Sequence, residues 1–354
     1  MALAILERTG TDGRRLVGGF MLVCALLSMW MTNTSCTMML LPIVLSVIGV
    51  IRDHVPDLGE KGHGDFAVAM LLGLAYAASI GGLATLIGTP PNALLAGYLA
   101  ANHGIEISFV KWMLVGVPVS LAMLPLAWLV LTRVLFKVDF PESPAVQEHL
   151  RVLRAQLGPM SEAERRVAIL FLVVILCWMV GQPLAGWLGI KGISDAGIVM
   201  TAAVLLFLMP SGDVAQPRLL AWHDAGRLPW GVLILFGGGL SLAAAVSDSG
   251  LALWLGESLA PLNAWGIAAL VIAAVTLVIF LTELTSNTAT AATFLPIVGA
   301  TAVSLGQNPL LFVIPAALAS NCAFMLPVGT PPNAIVFGSG LVTLPQMARA
   351  GFIL

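Results

Sequence analysis

The sequence predicts an all-α polytopic membrane protein, an inverted repeat with two re-entrant helical hairpins and broken helices. Three observations carry that prediction. Hydrophobic residues make up 59% of the 354 positions and charged residues only 10%, with a mean hydropathy of +0.99, whereas a soluble domain carries about 25% charged residues. Apolar runs recur from one end of the chain to the other. Two phrases also occur twice in the same order. Thr32-Asn33-Thr34 followed by Gly88-Thr89-Pro90-Pro91-Asn92-Ala93 is matched by Ser286-Asn287-Thr288 followed by Gly329-Thr330-Pro331-Pro332-Asn333-Ala334. In both copies Leu-Pro-Ile-Val begins eight residues after the motif Asn, at Leu41 and Leu295.

Taken in chain order, the apolar runs 16–31 and 34–51 flank the first polar tip and read as a hairpin. The run 66–87 leads into the first proline phrase and reads as a broken helix, and 109–136 is long enough to cross a bilayer, which takes ~20 residues. After the polar stretch 137–166 come apolar runs at 167–190, 196–210 and 228–248. The runs 264–285 and 288–305 flank the second tip as a second hairpin, and 309–328 leads into the second proline phrase. A soluble core would need polar outer faces on these segments, and they have none. The repeat divides the chain into 1–136, a first inverted repeat; 137–166, a linker; and 167–354, a second inverted repeat.

Basic residues set the orientation. The stretch 137–166 holds Lys137, Arg151, Arg154, Arg165 and Arg166 and is expected on the cytoplasmic side of the plasma (inner) membrane. Arg218 and Arg227 return to that side two crossings later. The first hairpin then opens to the cytoplasm, near Arg14, Arg15 and Arg52, and the second opens outside. Two inverted copies in one membrane chain point to a carrier whose site lies between the halves.

The tips explain why. At Ser28 to Ser35 the apolar pattern gives way to hydroxyl and amide residues, which cap helix starts and compete for backbone hydrogen bonds. A turn there places the free N–H groups and positive dipole end of the next helix deep in the membrane. In the proline phrases two prolines break the helix and the preceding glycine lets carbonyls turn inward. Unwound backbone at that depth is tolerated only where it is buried in protein or lines a polar cavity. N-termini, hydroxyls and amides suit an anion, while inward carbonyls suit Na⁺. No Lys or Arg stands in the four motif segments. A lone dianion would be costly there, since one charged side chain at mid-membrane costs about 2.5–3.5 kcal/mol, and accompanying cations offset that.

The motif pairs resemble the divalent anion:sodium symporter family of dicarboxylate and sulfate carriers. So do Leu233-Ile-Leu-Phe-Gly-Gly-Gly-Leu-Ser-Leu242 with Ser249-Gly250-Leu251, and Ser79-Ile80-Gly81-Gly82 ahead of the first proline phrase. The resemblance runs along nearly the whole chain. It implies a homodimer in the lipid bilayer, with a scaffold domain and a transport domain that moves as an elevator. Carried across, it implies substrate binding by Asn33, Thr34, Thr89 and Pro90 from one side and Asn287, Thr288, Thr330 and Pro331 from the other. It further implies one Na⁺ among Ser28, Thr32, Asn33 and the Gly88 carbonyl. A second would lie among Thr282, Thr285, Asn287 and the Gly329 carbonyl. Ser28 and Thr282 each stand five residues before their motif Asn. The first motif begins with Thr where the family has Ser, which keeps the hydroxyl and adds a methyl. Members of the family have crossings before the first hairpin and after the second proline phrase, so the chain is expected to be truncated at both ends.

The function expected is therefore Na⁺-coupled transport of a divalent anion, a C4-dicarboxylate first, with sulfate, anion exchange and proton coupling as alternatives. Glu283, four residues before Asn287, is either a proton carrier or part of the scaffold. A channel would need a continuous polar stripe. An intramembrane hydrolase would need paired Asp or a Ser–His pair, and the five histidines all fall in loops or at helix ends. The net charge of −2 suggests no nucleic-acid partner, the four cysteines read as packing residues, and Met1 to Gly13 has no leader-like apolar stretch.

Overall fold

The computed structural model describes residues 5–6, 10–55, 58–188, 194–212, 217–227, 230–251, 254 and 266–354. Residues 189–190, 228–229 and 264–265, at the edges of three predicted runs, lie outside them, as do 1–4 and 7–9 of the N-terminal stretch. The first half contains α1 (Gly13–Ser28), α2 (Asn33–His54), α3 (Gly59–Gly82), α4 (Pro90–His103) and α5 (Phe109–Leu129). A π-helical turn, Val130–Leu135, ends α5, and α6 (Pro144–Gln156) lies within the predicted linker. Then follow α7 (Glu162–Leu188), α8 (Asp195–Leu208), a 3₁₀ turn (Trp222–Arg227) and α9 (Trp230–Asp248). The second copy of the motifs lies on α10 (Ile267–Leu284), α11 (Asn287–Ser304), α12 (Leu310–Ala319) and α13 (Pro331–Phe337), and α14 (Leu344–Ile353) ends the chain. Among the described residues there is no strand, only an isolated bridge between Pro210 and Arg218.

Asn33–His54, Gly59–Gly82, Phe109–Leu135 and Ile267–Leu284 are long and apolar enough to cross a membrane. Many large apolar side chains on the outer faces are exposed, among them Leu114, Leu121, Ile272 and Leu277, as lipid-facing surfaces are. By contrast α1 at 16 residues, α4 at 14 and α12 at 10 are too short to span alone. These are the arms of hairpins and broken helices that the repeated phrases predict.

Helix α3 is the hub of the first half, buried at every position from Phe66 to Gly82. The hairpin α1–α2 and α5 pack on it. In the second half the hairpin α10–α11 packs on α12. The broken ends cross over: α4 packs on α11 and α12, while α13 packs on α2 and α3. Each proline phrase thus delivers its following helix to the opposite repeat, and the halves interlock.

The hairpins open at opposite ends. Arg14 pairs with Asp139 at 3.2 Å and Arg15 with Glu142 at 3.4 Å, and Ser46 of α2 meets His149 of α6 at 2.7 Å. The open end of the first hairpin therefore lies against the 137–166 segment, beside the start of α3, where Phe66 meets Phe140 edge-on. At the far end, Ile105 and Ile107, just beyond α4, share an apolar cluster with Leu305 at the close of α11. The 137–166 segment is more than a linker, because α6 buries Val146 and Leu150 against α2.

Candidate substrate and cation site

Both hairpin tips are N-caps of the same type. Thr32 caps α2 in extended conformation and accepts the Ser35 N–H, and Ser286 caps α11 and accepts the Ala289 N–H. Thr89 and Thr330 cap α4 and α13 with backbone angles agreeing within one degree, at φ −149°, ψ 143° and φ −150°, ψ 144°. Proline at the first helical position needs no N–H donor there. Each proline phrase is held by its own Asn. Asn92 donates to the carbonyls of Gly82 at 3.1 Å and Thr85 at 2.8 Å. Asn333 donates to the equivalent Ala323 and Leu326, both at 3.0 Å.

Beside each tip four polar atoms converge. The inward atom of the Asn33 amide lies 2.8 Å from Ser28 Oγ, 3.0 Å from the Ala78 carbonyl and 3.3 Å from that of Gly88. Ser28 Oγ is also 2.7 Å from the Ala78 carbonyl. In the second repeat the inward atom of Asn287 lies 2.9 Å from Thr282 Oγ1, 3.1 Å from the Ser320 carbonyl and 3.1 Å from that of Gly329. Thr282 Oγ1 is 2.7 Å from the Ser320 carbonyl. With the amide oxygen inward, each cluster is four oxygens sharing one hydroxyl proton, a donor set suited to a hard cation. With the nitrogen inward, its N–H groups satisfy the same acceptors. Ser28 and Thr282 are fully buried and both Asn residues are buried.

Glycine makes room for this geometry. A Cβ on Gly81 would collide with the Ala25 backbone, and one on Gly82 with the Asn33 amide. The first lets α1 approach α3, and the second leaves space for the cluster.

Of the sequence-predicted residues, Ser28, Asn33, Gly88, Thr282, Asn287 and Gly329 come together as two clusters. Thr32 and Thr285 do not reach them with their hydroxyls. Thr32 is occupied by Ser35, at 2.8 Å to its hydroxyl, and Thr285 by Thr290 at 2.5 Å. The hydroxyls of half-buried Thr34 and Thr288 and of buried Thr330 form no hydrogen bond among the described residues. Pro90 is half-buried and Pro331 exposed beside their threonines.

The carbonyls of Ala78 and Ser320 were not legible as members of the clusters, since any residue carries a carbonyl. Asn321 was missed although an Asn in an apolar run is itself a signal. It is buried and accepts the Thr89 hydroxyl at 2.8 Å across the repeats.

Glu283 is buried and accepts three consecutive backbone N–H groups, from Phe324 at 2.7 Å, Met325 at 2.9 Å and Leu326 at 2.8 Å. It holds the unwound segment between α12 and α13. At the matching place, four residues before Asn33, stands Met29, whose carbonyl accepts the Thr85 hydroxyl at 2.5 Å. The two breaks are thus fastened by different chemistry.

The chain matches the Sodium:sulfate symporter transmembrane region family over residues 1–354. It is 43% identical to the sodium-dependent dicarboxylate transporter SdcS of Staphylococcus saprophyticus subsp. saprophyticus, over 99% of this chain and 68% of that protein. It is 42% identical to SdcS of Staphylococcus aureus strain USA300, again over 99% and 68%. With the repeated tips, the crossed-over proline phrases and the paired clusters in place, the chain belongs to the sodium:sulfate symporter family.

Proposed function

We infer that the protein is a secondary active transporter, not an enzyme, that moves a divalent anion, a C4-dicarboxylate, across the membrane together with Na⁺. One observation carries the reading: two clusters of converging polar atoms, one per repeat, lie beside helix N-termini whose Thr34 and Thr288 hydroxyls form no hydrogen bond among the described residues. Na⁺ turns each Asn amide oxygen inward and completes a four-oxygen cage at each tip. The substrate carboxylates then meet the first-turn N–H groups of α2 and α11 and the hydroxyls of Thr34, Thr288 and Thr330, with Thr89, Pro90 and Pro331 closing the pocket. The cations offset the cost of holding a dianion in a low-dielectric site. The relatives named as sodium-dependent dicarboxylate transporters support this choice of ion and substrate.

The interlocking of α4 with α11 and of α13 with α2 favours movement of the four tips as one body, an elevator, over separation of the two repeats. Membership of the family supports a homodimer in the lipid bilayer, and the basic residues support a cytoplasmic 137–166 segment. The reading is tested by titrating purified protein with succinate, malate and sulfate, with and without Na⁺. Succinate or malate binding that requires Na⁺ is the expected result. Binding indifferent to Na⁺ rejects it in favour of exchange, and sulfate preferred over succinate rejects the substrate.

A further inference from the structure

We propose that Asn321 is a positioning residue that ties the two oxygen clusters into one unit, so that an ion in one cluster orders the other. The inference rests on the Na⁺-coupled reading and extends it to a residue the motifs do not contain. Asn321 is wholly buried. Its Oδ1 accepts the Thr89 hydroxyl at 2.8 Å. Its Nδ2 donates to Asn92 Oδ1 at 3.4 Å and to the Ala317 carbonyl at 3.0 Å. One residue of the second repeat thus grips both the cap and the holding Asn of the first proline phrase.

A peptide group is rigid and planar, and this makes the grip consequential. The Gly88 carbonyl of the first cluster belongs to the peptide plane that ends at Thr89. The Ser320 carbonyl of the second cluster belongs to the plane that ends at Asn321. A cation drawing the Gly88 oxygen inward fixes the first plane and so places Thr89. The Thr89–Asn321 hydrogen bond passes that placement to the second plane and its oxygen. Coupling of this kind is reciprocal, so filling either cluster favours the other.

The opposite crossing lacks the strut. Asn333 holds the second proline phrase as Asn92 holds the first, yet its buried Oδ1 has no partner among the described residues. Ser79, which follows Ala78 as Asn321 follows Ser320, is too short to bridge, and its Oγ likewise has no partner among the described residues. Thr330 therefore keeps a hydroxyl for substrate, while that of Thr89 is bound to Asn321. The apparent two-fold site is functionally lopsided, and Asn321 is the cause.

The test is a Na⁺ titration of succinate binding for the wild type, Asn321→Ser, Thr89→Val and the double variant. Each single variant is expected to raise the half-saturating Na⁺ concentration about fivefold, the worth of one neutral hydrogen bond, and to lower the Hill coefficient toward one. The double variant should be no worse than the worse single, because both remove the same bond. An unchanged Na⁺ curve in Asn321→Ser, or effects that multiply in the double variant, overturns the proposal. If Asn321→Ser does not fold, Thr330→Val replaces it. That variant should weaken succinate without changing Na⁺ cooperativity, whereas Thr89→Val changes the cooperativity, and identical behaviour of the two overturns the strut. Should the wild type bind succinate regardless of Na⁺, the Na⁺-coupled reading fails while the strut is still judged, by non-additivity of the two substitutions in succinate affinity alone.

Discussion

The residue that does most in this site is Asn, because its amide offers an oxygen to a cation on one face and N–H donors on the other. Asn33→Ala and Asn287→Ala are each expected to abolish Na⁺-dependent succinate binding in a titration of purified protein. Wild-type affinity in either variant rejects the assigned clusters. Glu283 makes a different point. Its carboxylate is engaged by three backbone N–H groups, which marks it as a fastening for the unwound segment rather than a proton carrier. Hydrogen bonds to a charged group contribute about 1.5–3 kcal/mol each, so Glu283→Ala should lower the melting temperature in detergent. In Glu283→Gln, transport should weaken while its pH profile keeps the wild-type shape, and loss of pH dependence would restore the proton-carrier role. At this scale the convergence of the Ser28 and Thr282 hydroxyls with the Asn33 and Asn287 amides was legible in the sequence. The Ala78 and Ser320 carbonyls that join those clusters were not, since a carbonyl has no residue signature. Nor was it legible that Thr32 and Thr285 direct their hydroxyls to helix-start partners instead. The same hydroxyl that can bind an ion can also satisfy a local partner, and local partners win when they are nearer.

At the scale of elements, hairpins and broken helices were legible because each is bounded by a chemical discontinuity: Asn and hydroxyls at the tips, paired prolines at the breaks. Helix α6 was hidden inside a polar stretch, although its buried Val146 and Leu150 stand at helical i, i+4 spacing. The glycine pair that ends α3 gives a sharp test of element packing. Gly82→Ala places a methyl where the Asn33 amide sits and leaves the α1–α3 crossing intact. It should therefore abolish Na⁺-dependent binding with little change in melting temperature. Gly81→Ala drives its methyl into the Ala25 backbone, which has no rotamer by which to yield. That variant should melt several degrees lower, since displaced helices lose packing at every contact along the crossing. Melting curves and binding isotherms of the two variants, measured side by side, check both expectations, and equal melting temperatures would contradict the second.

For the whole molecule, the repeated phrases made the duplication legible and the basic residues with the count of crossings pointed to its inversion, but the crossing-over of α4 and α13 was not legible, because sequence spacing does not say which hairpin a helix will meet. That exchange has a mechanical consequence. Each tip is braced by the other repeat, which supports the proposed movement of the four tips as one body. The geometry fixes which loops share a side: the open end of the first hairpin, the start of α3 and α6 lie at one end, and the 104–108 segment lies at the other. The orientation proposed from the basic residues of 137–166 puts the first end in the cytoplasm. Single cysteines at exposed Glu60, Glu148 and Glu106 test this, with half-buried Cys177 and Cys322 replaced by serine. A membrane-impermeant maleimide applied to intact cells should label Glu106→Cys alone, and Glu60→Cys and Glu148→Cys should react only after the cells are opened. Labelling of Glu60→Cys and Glu106→Cys from the same side would contradict the opposed hairpins themselves. Labelling of all three in the reversed pattern would leave the inverted repeat standing and turn the molecule over.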